Sequence, residues 1–320
     1  MKYLITGGAG FIGIKLVEKL LKNKENKIYI IDNLSRKTDN KKLLDILKNK
    51  NIKLIQKDLS LISNYLKIYD FDYIYHFAAI LGVKKVIDNP FITLKDNILT
   101  TINLINFSIK QKKLKKICFT STSEVYAYSL KKKLAKYPTP EDIDFLISKD
   151  FNPRSSYLLS KIVGEYLINY SKLNFVIFRP HNIFGPQMGF AHVIPQLTQK
   201  ILNHNKRKII IHNAKHKRTF CNIEFAIDLI FNISHKKKLT NKTFNIGSPE
   251  KEISIMELAQ KIKKILNSKN QLISSNSEKD SSPEKRKPDM KRSLNYSKIN
   301  HNFEKGLKET VLWYKKHYTR

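Results

Sequence analysis

"YLITGGAGFIG" occupies residues 3–13. A short run of strand-forming residues ends in glycines at positions 7, 8, 10 and 13, and "FIGIKLVEKLLK" continues with apolar residues at helical spacing. A strand, a glycine loop and a helix in that order make a place for a pyrophosphate. Gly7 permits the tight turn, Gly10 lets the backbone approach the phosphates, and Gly13 allows the helix to pack closely on the strand. The helix N-terminus, with the amides of Phe11 and Ile12, then faces the negative charge.

Outward from that stretch the same alternation repeats. "KIYIID" (27–32) reads as a second strand, "IKLIQKD" (52–58) as a third and "DYIYHFAA" (72–79) as a fourth. "KKICFTS" (115–121) and "FVIFRP" (175–180) read as a fifth and a sixth, with helices in the intervals. This predicts an α/β fold, a Rossmann-type doubly wound parallel sheet whose ligand lies beyond the carboxyl ends of the strands. Asp32 ends the second strand 19 residues after Gly13 (32 − 13), where a carboxylate accepts the adenosine ribose hydroxyls and repels a 2′-phosphate. NAD is therefore expected over NADP, with Arg36 the nearby counterweight. Asn33, Asp58, Leu59 and Ala78 follow strand ends on the same edge, beside adenine and the pyrophosphate bridge. His76 reads as a packed histidine.

After Pro180 the pattern loosens. "FNIG" (244–247) looks like one more sheet strand, whereas 185–221 and 248–320 are expected to be irregular apart from helices such as "SIMELAQKIKKIL" (254–266). The polar, Pro-containing segment 267–289 is expected to be loop-rich and to wrap the second lobe. Residues 1–182, rejoined by 222–247, are thus assigned to the dinucleotide-binding domain. Residues 183–221 and 248–320 are assigned to a smaller C-terminal substrate lobe.

Composition narrows the class. The chain has 320 residues, 41% of them hydrophobic, enough for a sizeable core. Cys118 and Cys221 lie 103 positions apart (221 − 118), which is neither a disulfide framework nor a metal-ligand spacing. No bound metal is expected. The start "MKYLITGG" is too short for a signal-peptide core, and no apolar run approaches a bilayer span, so a cytoplasmic protein without a membrane partner is expected. The net charge of +33 (60 − 27) comes from lysines spread along the whole chain. That spread reads as compositional bias on solvated faces and predicts no specific nucleic-acid site, although an anionic substrate would feel the field.

Two stretches carry chemistry. "SSYLLSKIVGEY" sets Tyr157 and Lys161 four apart on one helix face. A lysine there can lower the phenol's pKa and hold the nicotinamide ribose, and the phenolate can then take a proton from a sugar hydroxyl as hydride leaves for NAD⁺. "FTSTSEVYAY" (119–128) supplies a hydroxyl-rich strand end, with Thr122 lying 35 residues upstream of Tyr157 (157 − 122).

With these residues in place the chain resembles the extended short-chain dehydrogenases/reductases, in their nucleotide-sugar epimerase, dehydratase and decarboxylase branch. "TGGAGFIG", "IDNL", "HFAA", "STSEVY", "YLLSK" and "RPHNIFGP" occur in family order, followed by "KRTFCNIEFAID", "NIGSPEKEISIMELA" and "KRKPDMKRS". The resemblance covers nearly the whole length. It implies bound NAD, a nucleotide-diphosphate sugar as substrate and a homodimer. By motif, Thr122 takes the place of the residue that bonds sugar O4, beside Tyr157 and Lys161, with Ser123 next to it. Asn97 matches the asparagine that anchors its helix near the cofactor. Asn182 matches a residue near the diphosphate, and Arg218 and Arg286 match the arginines that clamp it, a task suited to bidentate guanidinium pairing. Ala127 stands where the family usually has glycine, and His181 after Pro180 is unusual.

Such enzymes first oxidise the sugar to a 4-keto intermediate and then diverge. Glu124, following Thr122 and Ser123, resembles decarboxylases and some 4,6-dehydratases, in which it would serve as an acid or base. "HFAAILGVKKVIDNP" and "RPHNIFGPQMGFAHVIPQ" resemble the epimerase branch. The expectation is an NAD-dependent nucleotide-sugar epimerase acting through transient oxidation at C4. UDP-glucuronate decarboxylation or nucleotide-sugar 4,6-dehydration is the alternative. A non-catalytic NAD-binding regulator is the alternative from another class, and the intact Thr122/Tyr157/Lys161 set speaks against it.

Overall fold

The computed structural model describes residues 1–36, 40–61, 70–203, 208–275 and 284–318. The first strands are β1 (Lys2–Thr6), β2 (Lys27–Asp32), β3 (Ile52–Gln56), β4 (Tyr73–His76), β5 (Lys116–Thr120) and β6 (Phe175–Pro180). Between them lie α1 (Phe11–Leu21), α2 (Asn40–Leu47), α3 (Val83–Asp88), α4 (Pro90–Ile109), α5 (Ala127–Lys131) and α6 (Ser155–Tyr170). The remainder contributes short strands β7 (Ile183–Phe184), β8 (Lys208–His212), β9 (Lys217–Arg218) and β10 (Cys221–Asn222), then β11 (Lys242–Ile246). Strands β12 (Ile253–Ser254), β13 (Gln271–Ser275) and β14 (Lys285–Arg286) complete the series, with helices α7 (Val193–Leu202), α8 (Ile223–His235), α9 (Ile255–Ile265) and α10 (Phe303–Tyr318).

Within the described residues the main sheet has seven parallel strands in the order β11-β6-β5-β4-β1-β2-β3. Strands β4 and β5 are buried at every residue, as a parallel sheet covered on both faces requires. The period-2 alternation sorts their side chains. Tyr3, Ile5, Ile28, Ile30, Cys118, Val176 and Phe178 meet α1 and α8 on one face. Leu4, Ile31, Ile74, Ile117, Phe119 and Ile177 form the other face with Leu104, Ile105 and Ile168 from α4 and α6.

The chain runs outward from β1 through β2 to β3, then returns to β1's other side with β4. This reversal opens a crevice beyond the carboxyl ends of β1 and β4, where Thr6 stands opposite His76. The glycine loop leaves one strand there and "HFAA" leaves the other.

A separate core gathers Phe184, Ile194, Leu197, Ile209, Ile211, Leu258, Ile262, Phe303, Leu307 and Tyr314. Residues 185–221 and 248–320 are less irregular than the sequence suggests. "KIIIH" forms β8 and pairs in parallel with β13, drawn from the polar 267–289 segment. Three consecutive isoleucines hide the alternation that would mark β8, although the strand buries every second residue. Of that polar segment, residues 276–283 lie outside the described residues.

Candidate active site

The glycine loop is built as a cradle. Gly7 has φ +69°, and a Cβ on it would lie 2.6 Å from the Ala78 amide nitrogen. A Cβ on Gly13 would meet the Gly7 carbonyl oxygen at 2.6 Å, so α1 and the loop touch only because both residues lack side chains. Helix α1 starts with no side-chain cap from Gly10, which leaves its first amides to an outside acceptor. Phe11 and Ile12 put their side chains into the core, so only their amides are available to the cleft.

Beyond the loop is a cavity of about 330 Å³. Gly7, Gly10, Asp32, Asn33, Asp58, Leu59, Ala78 and Asn97 line it, as does Arg36; Phe11, Ile12 and Gly13 do not. Asp32 accepts hydrogen bonds from the amides of Ala9 (3.1 Å) and Leu34 (2.9 Å), tying the glycine loop to the end of β2. Asp58 accepts from the Asn33 amide group at 2.7 Å and from Ser60. Burial opposes its ionisation, but these hydrogen bonds prevail and its pKa falls below the ordinary carboxylate value. Asn97 accepts from the Ile80 amide (2.7 Å) and donates to the Ile80 carbonyl and to Ser160 Oγ (both 3.1 Å), pinning the "HFAA" loop to α6. His76 is buried between Thr6 (2.7 Å) and Thr101 (3.2 Å), and burial lowers its pKa to about 3; it is a neutral packed residue. The glycine cradle, free helix amides and ribose-side carboxylate fit a dinucleotide.

Strand β5 ends at Thr120, and the chain turns sharply through Ser123–Tyr126, with Thr122 as the capping residue. The Thr122 hydroxyl accepts the Glu124 amide at 3.2 Å, and it also favours the ionised form of the Tyr157 phenol. Lys161 donates Nζ to the Thr120 carbonyl at 2.8 Å and lies 6.0 Å from the Tyr157 ring centroid. Burial raises the Tyr157 phenol to about 12 and lowers Lys161 to about 7. Desolvation dominates both groups, so the phenol moves up and the ammonium down.

Ser123 is buried at the start of the turn. Glu124 lies between two guanidiniums, accepting from Arg286 at 2.6 Å and Arg154 at 3.3 Å. Burial works against its ionisation, yet the arginines prevail and hold its carboxyl at about 2. The three side chains border a small cavity of about 30 Å³ with Tyr128, Asn152 and Ser155.

Arg286 on β14 is the register partner of Arg218 on β9. Arg218 donates Nη1 to the carbonyls of Lys217 and Glu284, whereas the buried Nε and Nη2 of Arg286 have no hydrogen-bond partner among the described residues. Asn182 donates to the Thr219 carbonyl at 2.9 Å and links β6 to this strand region. Sequence reasoning missed Arg154, Glu165 and Arg179, which join the Thr122–Tyr157–Lys161 corner through tertiary contacts. The available signals were an arginine inside the apolar run "FVIFRP" and a glutamate four residues after Lys161.

A doubly wound parallel sheet with a glycine-loop cleft at its carboxyl edge defines a Rossmann-type dinucleotide-binding protein. The profile of the NAD dependent epimerase/dehydratase family matches residues 3–247, and the chain belongs to that family. It is 31% identical, over 98% of its length and 97% of the relative's, to the UDP-N-acetyl-alpha-D-glucosaminuronate decarboxylase of Bacillus cytotoxicus. It is 32% identical to the dTDP-D-glucose 4,6-dehydratase of Dictyostelium discoideum over 82% of this chain and 61% of that protein. The UDP-glucuronic acid 4-epimerase from Bacillus cereus, solved with UDP-glucuronic acid and NAD, superimposes with a TM-score of 0.85 at 26% identity, covering 99% of this chain and 100% of that one. The cofactor is NAD, and the protein is an enzyme of the nucleotide-sugar epimerase, dehydratase and decarboxylase group.

Proposed function

We propose that the protein is an NAD-dependent nucleotide-sugar epimerase acting through transient oxidation at C4. The observation that carries this reading is Tyr157 and Lys161 on one face of α6, with Lys161 Nζ 6.0 Å from the Tyr157 ring centroid and bonded to the Thr120 carbonyl at the strand end that leads to Thr122. Thr122 orients the sugar O4, Tyr157 receives its proton, and Lys161 holds the ribose and stabilises the phenolate. NAD, held by the glycine loop and Asp32, would supply the hydride acceptor and donor at C4. Arg218 and Arg286, adjacent across β9 and β14, receive the diphosphate, with Asn182 beside them. Glu124, ionised between two arginines, is no proton donor at neutral pH, and C4 inversion asks for none. Water elimination does ask for one, which counts against 4,6-dehydration.

Decarboxylation of a nucleotide uronic acid is the second reading. Arg154 and Arg286 concentrate positive charge next to Thr122, where a C6 carboxylate would lie. The Bacillus cytotoxicus relative favours it as well.

The same reading assigns NAD to residues 1–182 with 222–247, and the nucleotide sugar to the remainder. It also makes the protein a cytoplasmic homodimer. Helices α4 and α6 pack together and leave Phe91, Leu99, Tyr166 and Tyr170 exposed, an apolar face suited to a second copy. Cys118 and Cys221 are both free of any disulfide and buried. Among the described residues no helix is long and apolar enough to cross a membrane.

The test is incubation of the purified chain with UDP-, GDP- and dTDP-linked neutral sugars and uronic acids, with products read by NMR. A C4 epimer supports the first reading, and a pentose with released CO₂ supports the second. A 4-keto-6-deoxy sugar or no conversion would overturn both.

A further inference from the structure

The catalytic tyrosine and lysine begin a row that the preceding assignment leaves unfinished. Tyr157, Lys161 and Glu165 are spaced four apart on α6 and share one face. Glu165 is 6% exposed. Its Oε1 accepts hydrogen bonds from Ser121 Oγ at 2.5 Å and from Arg179 Nε at 2.9 Å, and its Oε2 accepts from Arg179 Nη2 at 2.6 Å. Arg179, itself 4% exposed, turns Nη1 to the Tyr126 hydroxyl (2.7 Å) and the Glu141 carbonyl (2.8 Å).

The consequence lies in the strand end. Lys161 holds Thr120 by its carbonyl, and Glu165 holds Ser121 by its hydroxyl. Two successive residues immediately before Thr122 are thus fixed by the same helix that carries Tyr157. A buried ion pair is a weak source of stability, since desolvation offsets its attraction. This pair does more than join a helix to a strand, because its carboxylate also grips the segment that presents the catalytic threonine.

We propose that Glu165 is a positioning residue for the C4 oxidation, fixing Thr122 against Tyr157 through Ser121 and setting a carboxylate one turn beneath Lys161. The inference rests on the C4-oxidation reading above. The groups around Lys161 are few. Glu165 and Tyr157 share its helix, Arg36 follows β2, neutral His76 lies on β4, and the Phe119 ring of β5 is 5.0 Å from Nζ. Arg179 of β6 lies on the far side of Glu165 as its bidentate partner. Burial lowers Lys161, Glu165 acts to raise it, and Arg36 adds to the lowering.

Glu165→Gln keeps the shape and removes the charge. In the full chain labelled with ¹³Cε-lysine, with the Lys161 signal assigned by its loss in Lys161→Met, the Lys161 midpoint should fall by about one pH unit in this variant. Its kcat for the nucleotide sugar should fall about 10–100-fold at neutral pH with KM nearly unchanged. Glu165→Asp should restore part of both. Ser121→Ala removes the tie without leaving Arg179 unpaired, so it also serves if Glu165→Gln does not fold. It should lower kcat about tenfold and leave the Lys161 midpoint in place. An unmoved Lys161 midpoint in folded Glu165→Gln, or wild-type kcat in Ser121→Ala, would overturn the assignment. The titration needs no substrate, so failure to turn over any nucleotide sugar would count against the C4-oxidation reading and is distinguishable from failure of Glu165 itself.

Discussion

Arg286 donates Nη1 to Oε1 of Glu124 at 2.6 Å, joining β14 to the turn that begins at Thr122. One edge of the guanidinium is thereby engaged. The other, formed by Nε and Nη2, is buried without a partner among the described residues, a costly state for a cation unless an anion completes it. Arg286→Lys keeps a charge near Glu124 but loses the fork. It should weaken binding of UDP, the diphosphate without its sugar, by about tenfold or more, while NAD affinity stays near wild type. Unchanged UDP affinity in calorimetry would place the diphosphate elsewhere.

Asp32 is the residue proposed to set the cofactor preference. Its carboxylate lies in the cleft and is already bonded to the amides of Ala9 and Leu34. NAD should bind more tightly than NADP, because a 2′-phosphate would bring like charge against it. Asp32→Gly should weaken NAD binding about 10–100-fold and narrow the preference, through both the lost ribose contact and a looser glycine loop. Wild-type protein that bound NADP as well as NAD in calorimetry would contradict this.

Tyr157→Phe removes the proposed proton acceptor while preserving the ring. Oxidation at C4 should fall by about 10²–10⁴-fold, with the thermal unfolding curve and NAD affinity little changed. Lys161→Met should lose activity as well and bind NAD more weakly. Near-normal turnover by the phenylalanine variant would show that the base lies elsewhere.

The main sheet was legible because its strands are continuous apolar runs punctuated by glycine and polar residues, a pattern local to each segment. The Tyr157–Lys161 row was legible for the same reason, since helical spacing is read along the chain. Glu124 was visible as a carboxylate near Thr122, but its chemistry depends on Arg154 and Arg286, the latter 162 residues away. No local pattern announces such a partner. Strands β8 and β13 were missed because a pair of short strands in a small lobe is defined by its pairing. The Glu165–Arg179 pair falls between these cases: each residue was in a quoted stretch, and only the fold brings the two together.

The excess of basic residues should act as background. With 60 lysines and arginines against 27 acids, the chain should be retained on DNA or RNA at low salt and released by about 0.15 M salt. Scattered phosphate contacts without base readout lose affinity steeply as counterions return. Sequence-selective binding at that salt, measured by filter retention or anisotropy, would contradict the compositional explanation.

Glu124 separates the competing chemistries. Its carboxyl, held at about 2 by Arg286 and Arg154 against the cost of burial, lies below the ordinary value near 4.3. A depressed carboxylate pKa contributes stability that is complete above the unfolded value and disappears as pH falls through the folded one. Glu124→Gln should therefore be less stable than wild type at pH 7, with the gap closing between about pH 4.3 and pH 2 in urea unfolding. Catalysis divides further. In an epimerase the hydride returns to the same C4 and no proton moves at C5, so this variant should lose about tenfold in turnover, or ~1.4 kcal/mol, through altered hydrogen bonding. In a decarboxylase or dehydratase the 4-keto sugar still forms, but its onward step needs acid–base help typically worth about 10²–10⁴-fold. The same variant would then accumulate NADH and keto sugar, seen as a lasting absorbance near 340 nm. The epimerase reading predicts the small loss, no trapped NADH, and wild-type product without solvent deuterium at C5. Deuterium at C5 in the wild-type product would instead show that a proton is exchanged there, and would move the assignment to the decarboxylase or 4,6-dehydratase.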